Sequence, residues 1–484
     1  MHSKYLYTMR KFLFFIIFYS CYAVSFSQNV IGNWNGNISV NENKIPIVFH
    51  FYNDSLGKIN GKWDSPSQHA NDLPCGAIDI TPDSIHINLP VISGSYKGKL
   101  ITTDSIAGMW SQRGFQTPLN LARMKNTPAF QPARRPQTPQ PPFNYVTENV
   151  KYTNADSSIQ FGGTFTKPFS TNDKKFPAVL MITGSGKQDR DETIFDHKPF
   201  AVIADYLTKH GIAVLRVDDR GMGQTTGDFD TSSSEDFAND VEAGIHYLLS
   251  RGEVDAKHIG LIGHSEGGMI AAMVAAQDKN VSFIVMLAGP GVSGLAINDY
   301  QNSEQLKKAG IADSIIQKFL LLHHQLIRAV ITSTDYDDFK NKVPAIFENW
   351  KKSQSDETLQ ALTIGTDERT IASLQRNYIV FHSKWWRFFL THNPSDDLEK
   401  LSIPVLALNG SKDVQVDAEA NLNAINAALK KSQSKNFKTI ELPGLNHLFQ
   451  HCTKCTVEEY GELQETIAPE VLRTVSDWIN SVVK

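Results

Sequence analysis

Ile259-Gly-Leu-Ile-Gly-His-Ser-Glu-Gly-Gly268 decides the fold. Its first four residues form an apolar run that ends at Gly263, as in a strand buried on both faces. Gly263-His264-Ser265-Glu266-Gly267 follows, and then an apolar helical stretch over residues 266–277. Strand, sharp turn with a central serine, and helix make a G-x-S-x-G elbow. The glycines two residues either side leave room for the turn. The helix start directs N–H groups toward the serine, where they stabilise negative charge.

Outward from this elbow the pattern repeats. Apolar runs at 177–183, 212–217, 283–287, 404–408 and 438–442 read as further buried strands. Helical stretches at 199–210, 235–251 and 469–483 alternate with them. Strands alternating with helices predict an α/β fold with a mostly parallel sheet. Between 292 and 399 the strand signal stops and long amphipathic stretches replace it, such as residues 314–322. A helical insertion there would cap the C-terminal edge of the sheet, where open α/β folds bind ligands.

The N-terminal part differs. Residues 28–125 read as short strands punctuated by Gly, Asn, Asp and Pro, a small all-β domain. Trp34, Trp63 and Trp110 are candidates for its core or for a binding face. Residues 126–144 hold Pro128, Pro132, Pro136, Pro139, Pro141 and Pro142, which forbid helix and central strand and predict a stiff linker. The α/β domain then spans 145–484. A chain of 484 residues exceeds what one core usually organises.

A serine hydroxyl needs a base. In this architecture the chain order is serine, acid, histidine. His447, in Leu442-Pro-Gly-Leu-Asn-His-Leu448, follows the last expected strand and precedes the final helix. Asp413 follows the strand before it, in Leu408-Asn-Gly-Ser-Lys-Asp413. These predict Ser265 as nucleophile, His447 as base and Asp413 as the acid that orients it. His451 is the competing histidine; Asp417 is the competing acid, with a helix N-cap as its plainer role. Two N–H donors for the oxyanion are expected from Glu266 and from Ser185, in the Gly184-Ser185-Gly186 turn. No cofactor is expected. Gly221-Met-Gly223 lacks the third glycine spacing of a dinucleotide loop, and Gly186-Lys187 lacks the rest of a P-loop.

The net charge of −4 argues against a nucleic-acid partner. Lys4, Arg10 and Lys11 precede an apolar run from Phe12 to Tyr19, and Ser25 and Ser27 follow. That layout predicts a signal peptide over 1–27 and export, to the periplasm or outside the cell, of a chain without a membrane span. Lipidation of Cys21 is a minor alternative. Four cysteines are too few for a disulfide scaffold. Cys452 and Cys455 read as a local disulfide or, with His447 and His451, as a zinc site; a histidine that ligates a closed metal site is not free to act as a base.

Taken together, residues 183–192, 219–223, 263–268 and 408–413 with Asn446-His447 resemble the α/β hydrolases related to the prolyl oligopeptidase and dienelactone hydrolase families, and most closely bacterial esterases with an N-terminal β domain. The resemblance covers about two thirds of the chain, residues 145–484. It implies carboxylesterase activity on short acyl chains, without a cofactor, and a structural role for Asp219-Arg220-Gly221; an esterase with Ser265 and His447 would work through an acyl-enzyme. The implied substrate is a small ester, such as an acylated glycan or metabolite. A peptidase or a thioesterase would use the same triad; a peptidase would need an acidic pocket for a free amino terminus, for which Asp191 and Glu192 are candidates. A glycan-binding protein with an inert hydrolase domain is the reading from outside enzymology. The Cys452 and Cys455 pair departs from the pattern of the group.

Overall fold

The computed structural model describes residues 30–484, apart from 41–42, 55–56, 67–69, 82, 113–114, 126–134, 171–173, 363 and 366–367. The expected signal segment and Cys21 lie outside the described residues. The chain divides into two units, Met1–Pro132 and Ala133–Lys484.

The first unit is an antiparallel sheet of ten described strands, from Gly32–Val40 to Leu121–Arg123. Its side chains alternate, and one set gathers Trp34, Phe49, Phe51, Trp63, Tyr96 and Trp110 into a core. The three tryptophans are therefore packing residues; Trp63 and Trp110 meet edge to face, with ring centres 5.4 Å apart. Cys75 is buried there, and burial pushes its thiol up to about 12, so it is inert as a nucleophile.

The second unit is built on eight strands: β1 (Val146–Thr153), β2 (Gln160–Lys167), β3 (Phe176–Ile182), β4 (Ala213–Val217), β5 (Val254–His264), β6 (Val281–Leu287), β7 (Val405–Gly410) and β8 (Phe437–Leu442). Their order is β1-β2-β4-β3-β5-β6-β7-β8. The β1–β2 and β2–β4 pairs are antiparallel and all others parallel. This is the α/β-hydrolase arrangement. The register sets Leu180 opposite Leu215 and Leu261, and Ile284 opposite Leu261 and Val405, so the inner strands are apolar on both faces.

Helices cover each face. α1 (Pro199–Lys209) and α12 (Pro469–Val482) bury Phe200, Ile203, Val475 and Trp478 on one side. α2 (Ser234–Ser250), α3 (Glu266–Ala275) and α11 (Ala418–Lys431) bury Ile245, Ile270 and Ile425 on the other. Each such side chain contributes about 1.5–3 kcal/mol of transfer free energy. Between β6 and β7 the chain leaves the sheet for a run of helices from α4 (Gly294–Lys308) to α10 (Pro394–Leu398), which is the expected insertion. It has its own core around Leu326, Phe339, Phe347 and Trp350.

The described end of the proline-rich segment is tied into the second unit. The Arg135 guanidinium donates to the carbonyls of Phe195, Gly461 and Leu463, and Gln137 bridges Thr466 and Ile467. No helix among the described residues is long and apolar enough to cross a membrane.

Candidate active site

Ser265, Asp413 and His447 each sit just beyond the C-terminal end of a parallel strand, because each follows a strand in the chain. β5 delivers Ser265, whose backbone holds φ 52° and ψ −122°. A serine rarely adopts a positive φ, and the surroundings enforce it. A Cβ on Gly263 would overlap the Gly267 carbonyl, and one on Gly267 would overlap the Ile182 carbonyl. The Ser265 N–H donates to the Leu287 carbonyl at 2.8 Å.

β7 delivers Asp413 and β8 delivers His447. Their side chains meet, Nδ1 to Oδ2 at 2.7 Å, and both are buried. The other Asp413 oxygen accepts the N–H groups of Gln415 and Val416 at 2.8 and 2.9 Å, which fixes the carboxylate plane. Tyr300, on α4, donates its hydroxyl to the Asp413 carbonyl at 2.8 Å. Asn446 fixes the histidine loop: its Oδ1 accepts from the Leu448 and Gln450 backbones. His447 packs against His264, the residue before Ser265, with ring centres 4.9 Å apart. Among the described residues no hydrogen bond joins the Ser265 hydroxyl to His447. Such bonds are often long in unliganded sites.

The competing residues lie elsewhere. His451 is exposed and paired with Glu465 and Glu470. Asp417 caps α11, accepting the Ala420 N–H at 2.6 Å. Cys452 and Cys455 are disulfide-bonded to each other, so their sulfurs are not thiolates that could ligate zinc. Asp191 is paired with Arg216 and Lys198, and Glu192 is buried against Gly184 and His264, so neither is free to take an amino terminus.

The turn after β3 lies against the elbow: a Cβ on Gly184 would stand 3.2 Å from that of Ser265. The N–H groups of Ser185 and Glu266 have no acceptor among the described residues.

A cavity of about 60 Å³ lies between α2, α3 and the ends of β3 and β4, bordered by Gly184, Asp219 and Glu266. Ser265, Asp413 and His447 do not line it. Burial pushes the Glu266 carboxyl up to about 7, against the opposing hydrogen bonds from Ser234 (2.6 Å) and Trp385 (2.8 Å). Burial also raises Asp219 to about 7, with Glu192 and Glu266 adding repulsion, against hydrogen bonds from Gln188 and Thr183.

The sign of the consequence follows from linkage. Between pH ~4.5 and ~7 native Glu266 keeps a proton that the unfolded chain has released, so stability falls as pH rises through that window. Moving from 4.5 to about 7 corresponds to a penalty on the order of 3 kcal/mol above pH 7. Glu266→Gln keeps an acceptor for Ser234 and Trp385 and removes the ionisation. We expect it to raise the melting temperature at pH 8 and to leave it unchanged at pH 4; an equal shift at both would refute the buried-carboxyl account.

Residues 164–447 match the family model described as X-Pro dipeptidyl-peptidase (S15 family). The chain belongs to the S15 family. Two curated proteins are similar to this S15 chain. One is Esterase EstD of Thermotoga maritima, 25% identical over 305 residues, 62% of this chain and 61% of that protein. The other is the bifunctional esterase/perhydrolase DCH of Acinetobacter calcoaceticus, 23% identical over 245 residues, 50% of this chain and 77% of that protein. The S15 chain thus spans less than two thirds of the first relative. Among solved structures an esterase of Pyrococcus furiosus covers 73% of this chain and 99% of its own, at 14% identity and a TM-score of 0.40. That overlap is loose, and the fold of this S15 member rests on its strand order. The expected kinship with bacterial α/β-hydrolase esterases holds, within the S15 family.

Proposed function

We propose that this protein is a serine carboxylesterase acting on small esters of short acyl chains. The single observation that carries the reading is the buried 2.7 Å pair of His447 and Asp413, with His447 packed beside the residue before a strained serine. Ser265 Oγ attacks the ester carbonyl as His447 Nε2 takes its proton. Asp413 holds the imidazole by Nδ1 and stabilises its charge. The developing oxyanion accepts from the Ser185 and Glu266 N–H groups. The imidazolium protonates the leaving alcohol, leaving an acyl-enzyme; water activated by His447 then releases the acid. None of these steps calls on a cofactor.

Export is part of the proposal. The basic and apolar layout of residues 1–27 supports it, as does the Cys452–Cys455 disulfide, which persists in oxidising compartments.

The family description favours a second reading, release of X-Pro dipeptides by the same triad. The engagement of Asp191 and Glu192 weighs against it. Chromogenic acyl esters of two to twelve carbons, assayed beside an X-Pro anilide, separate the two. We expect kcat/KM to be highest on the shortest esters and the anilide to be untouched. Turnover of the anilide above that of every ester would replace the esterase reading with the peptidase one.

A further inference from the structure

Glu192 is 1% exposed and its backbone has φ 52°, a left-handed conformation that a glutamate adopts only under constraint. Strain of this kind collects at functional sites, and Glu192 has no part in the steps given above. Its Oε1 accepts the Gly184 N–H at 2.7 Å and meets His264 Nδ1 at 3.0 Å. His264 Nε2 in turn lies 3.1 Å from the His447 carbonyl oxygen. Glu192 and His264 also border a small cavity whose other walls, among them Phe200, Ile203, Leu287 and Phe449, are apolar. In such surroundings electrostatic interactions are strong.

We infer that Glu192 and His264 are positioning residues that lock two loops of the site to each other: the turn offering the Ser185 N–H, gripped at Gly184, and the loop carrying His447, gripped at its carbonyl. This rests on the reading of Ser265 and His447 as nucleophile and base.

The chemistry of the link is specific. Both partners of His264 are acceptors, a carboxylate oxygen and a carbonyl oxygen. Both ring nitrogens must carry hydrogen to satisfy them, so His264 is an imidazolium balanced by Glu192. Burial opposes that charge; the Glu192 carboxylate and the His447 carbonyl outweigh it and hold His264 above its ordinary pKa. Asp413 is the other charged group acting on it. A glutamine at 192 keeps an oxygen for the Gly184 N–H but brings no charge. A neutral His264 then has one hydrogen for two acceptors, and the bond to the His447 loop is the one exposed to loss.

The test uses the full-length protein and a chromogenic acetyl ester. Glu192→Gln and His264→Gln should each lower kcat roughly 10- to 100-fold with KM within about twofold, the scale of a misplaced catalytic group. The double variant should be no worse than the poorer single, because both break one link. Nitrogen-15 spectra of histidine-labelled wild-type protein, assigned with His264→Gln, should show both His264 nitrogens protonated at pH 7. A folded Glu192→Gln with wild-type kcat, a double variant whose losses multiply, or a singly protonated His264 overturns the inference. The spectrum decides the matter if Glu192→Gln does not fold. Wild-type turnover by Ser265→Ala would strike the nucleophile reading instead, so the two failures are distinguishable.

Discussion

Ser265→Ala is expected to lower ester turnover by roughly 10⁴- to 10⁶-fold, the scale seen when a triad nucleophile is removed, and to leave the melting temperature nearly unchanged. The loss is large because in the proposed mechanism the hydroxyl forms the covalent intermediate, and no other group at the elbow can replace it. The fold is spared for three reasons. Alanine keeps the Cβ, it keeps the N–H bonded to Leu287, and it suffers the same positive φ that serine already tolerates. Purified wild type and variant would be compared in ester hydrolysis and in labelling by a fluorophosphonate. A variant that turns over within tenfold of wild type, or that still takes the label, removes Ser265 from the reaction.

Asp413→Asn is expected to cost about 10⁴-fold in kcat, and the reason lies in how the side chain is held. Oδ1 is bound by two backbone N–H groups, from Gln415 and Val416. An asparagine must place its carbonyl oxygen there, which turns its NH₂ toward His447 Nδ1. The amide now donates where the carboxylate accepted. The imidazole is driven to the tautomer with hydrogen on Nε2, which cannot take the Ser265 proton. Asp417→Asn provides the contrast: asparagine caps helices about as well as aspartate, so α11 and kcat should both survive. Equal activities of Asp413→Asn and Asp417→Asn would contradict the assignment of the acid.

The inner strands were legible in the sequence because burial on both faces writes them as unbroken apolar runs. The elbow was legible because its glycines are sterically required. His447 and Asp413 were found by their places after consecutive strands. β1 and β2 escaped notice for the opposite physical reason. β1 is an edge strand reading Val-Thr-Glu-Asn-Val-Lys-Tyr-Thr, exposed at alternate positions. β2 carries Gly162-Gly163, which reads as a turn but is needed where the Gln224 side chain and the Arg216 carbonyl approach closely. Only the start of α11 was read, from Asp417 as a helix N-cap; the structure carries the helix on to Lys431. Glu192 drew attention as a possible amine ligand; its actual partners lie 8 and 72 residues away in sequence, and only the fold joins them.

The helical excursion between β6 and β7 bears on how the chain assembles and diversifies. Ala288 N–H donates to the Leu408 carbonyl at 2.8 Å, so the excursion departs and returns at one seam of the sheet. During folding that seam must close across all of residues 288–404, a long-range pairing that is intrinsically slow. Part of the excursion packs on a core of its own, while Ile297, Phe389 and Leu398 join the core of the sheet. The same geometry lets helices be lengthened or exchanged at the seam without shifting the register of any strand that carries Ser265, Asp413 or His447, as long as Tyr300 keeps its bond to the Asp413 carbonyl.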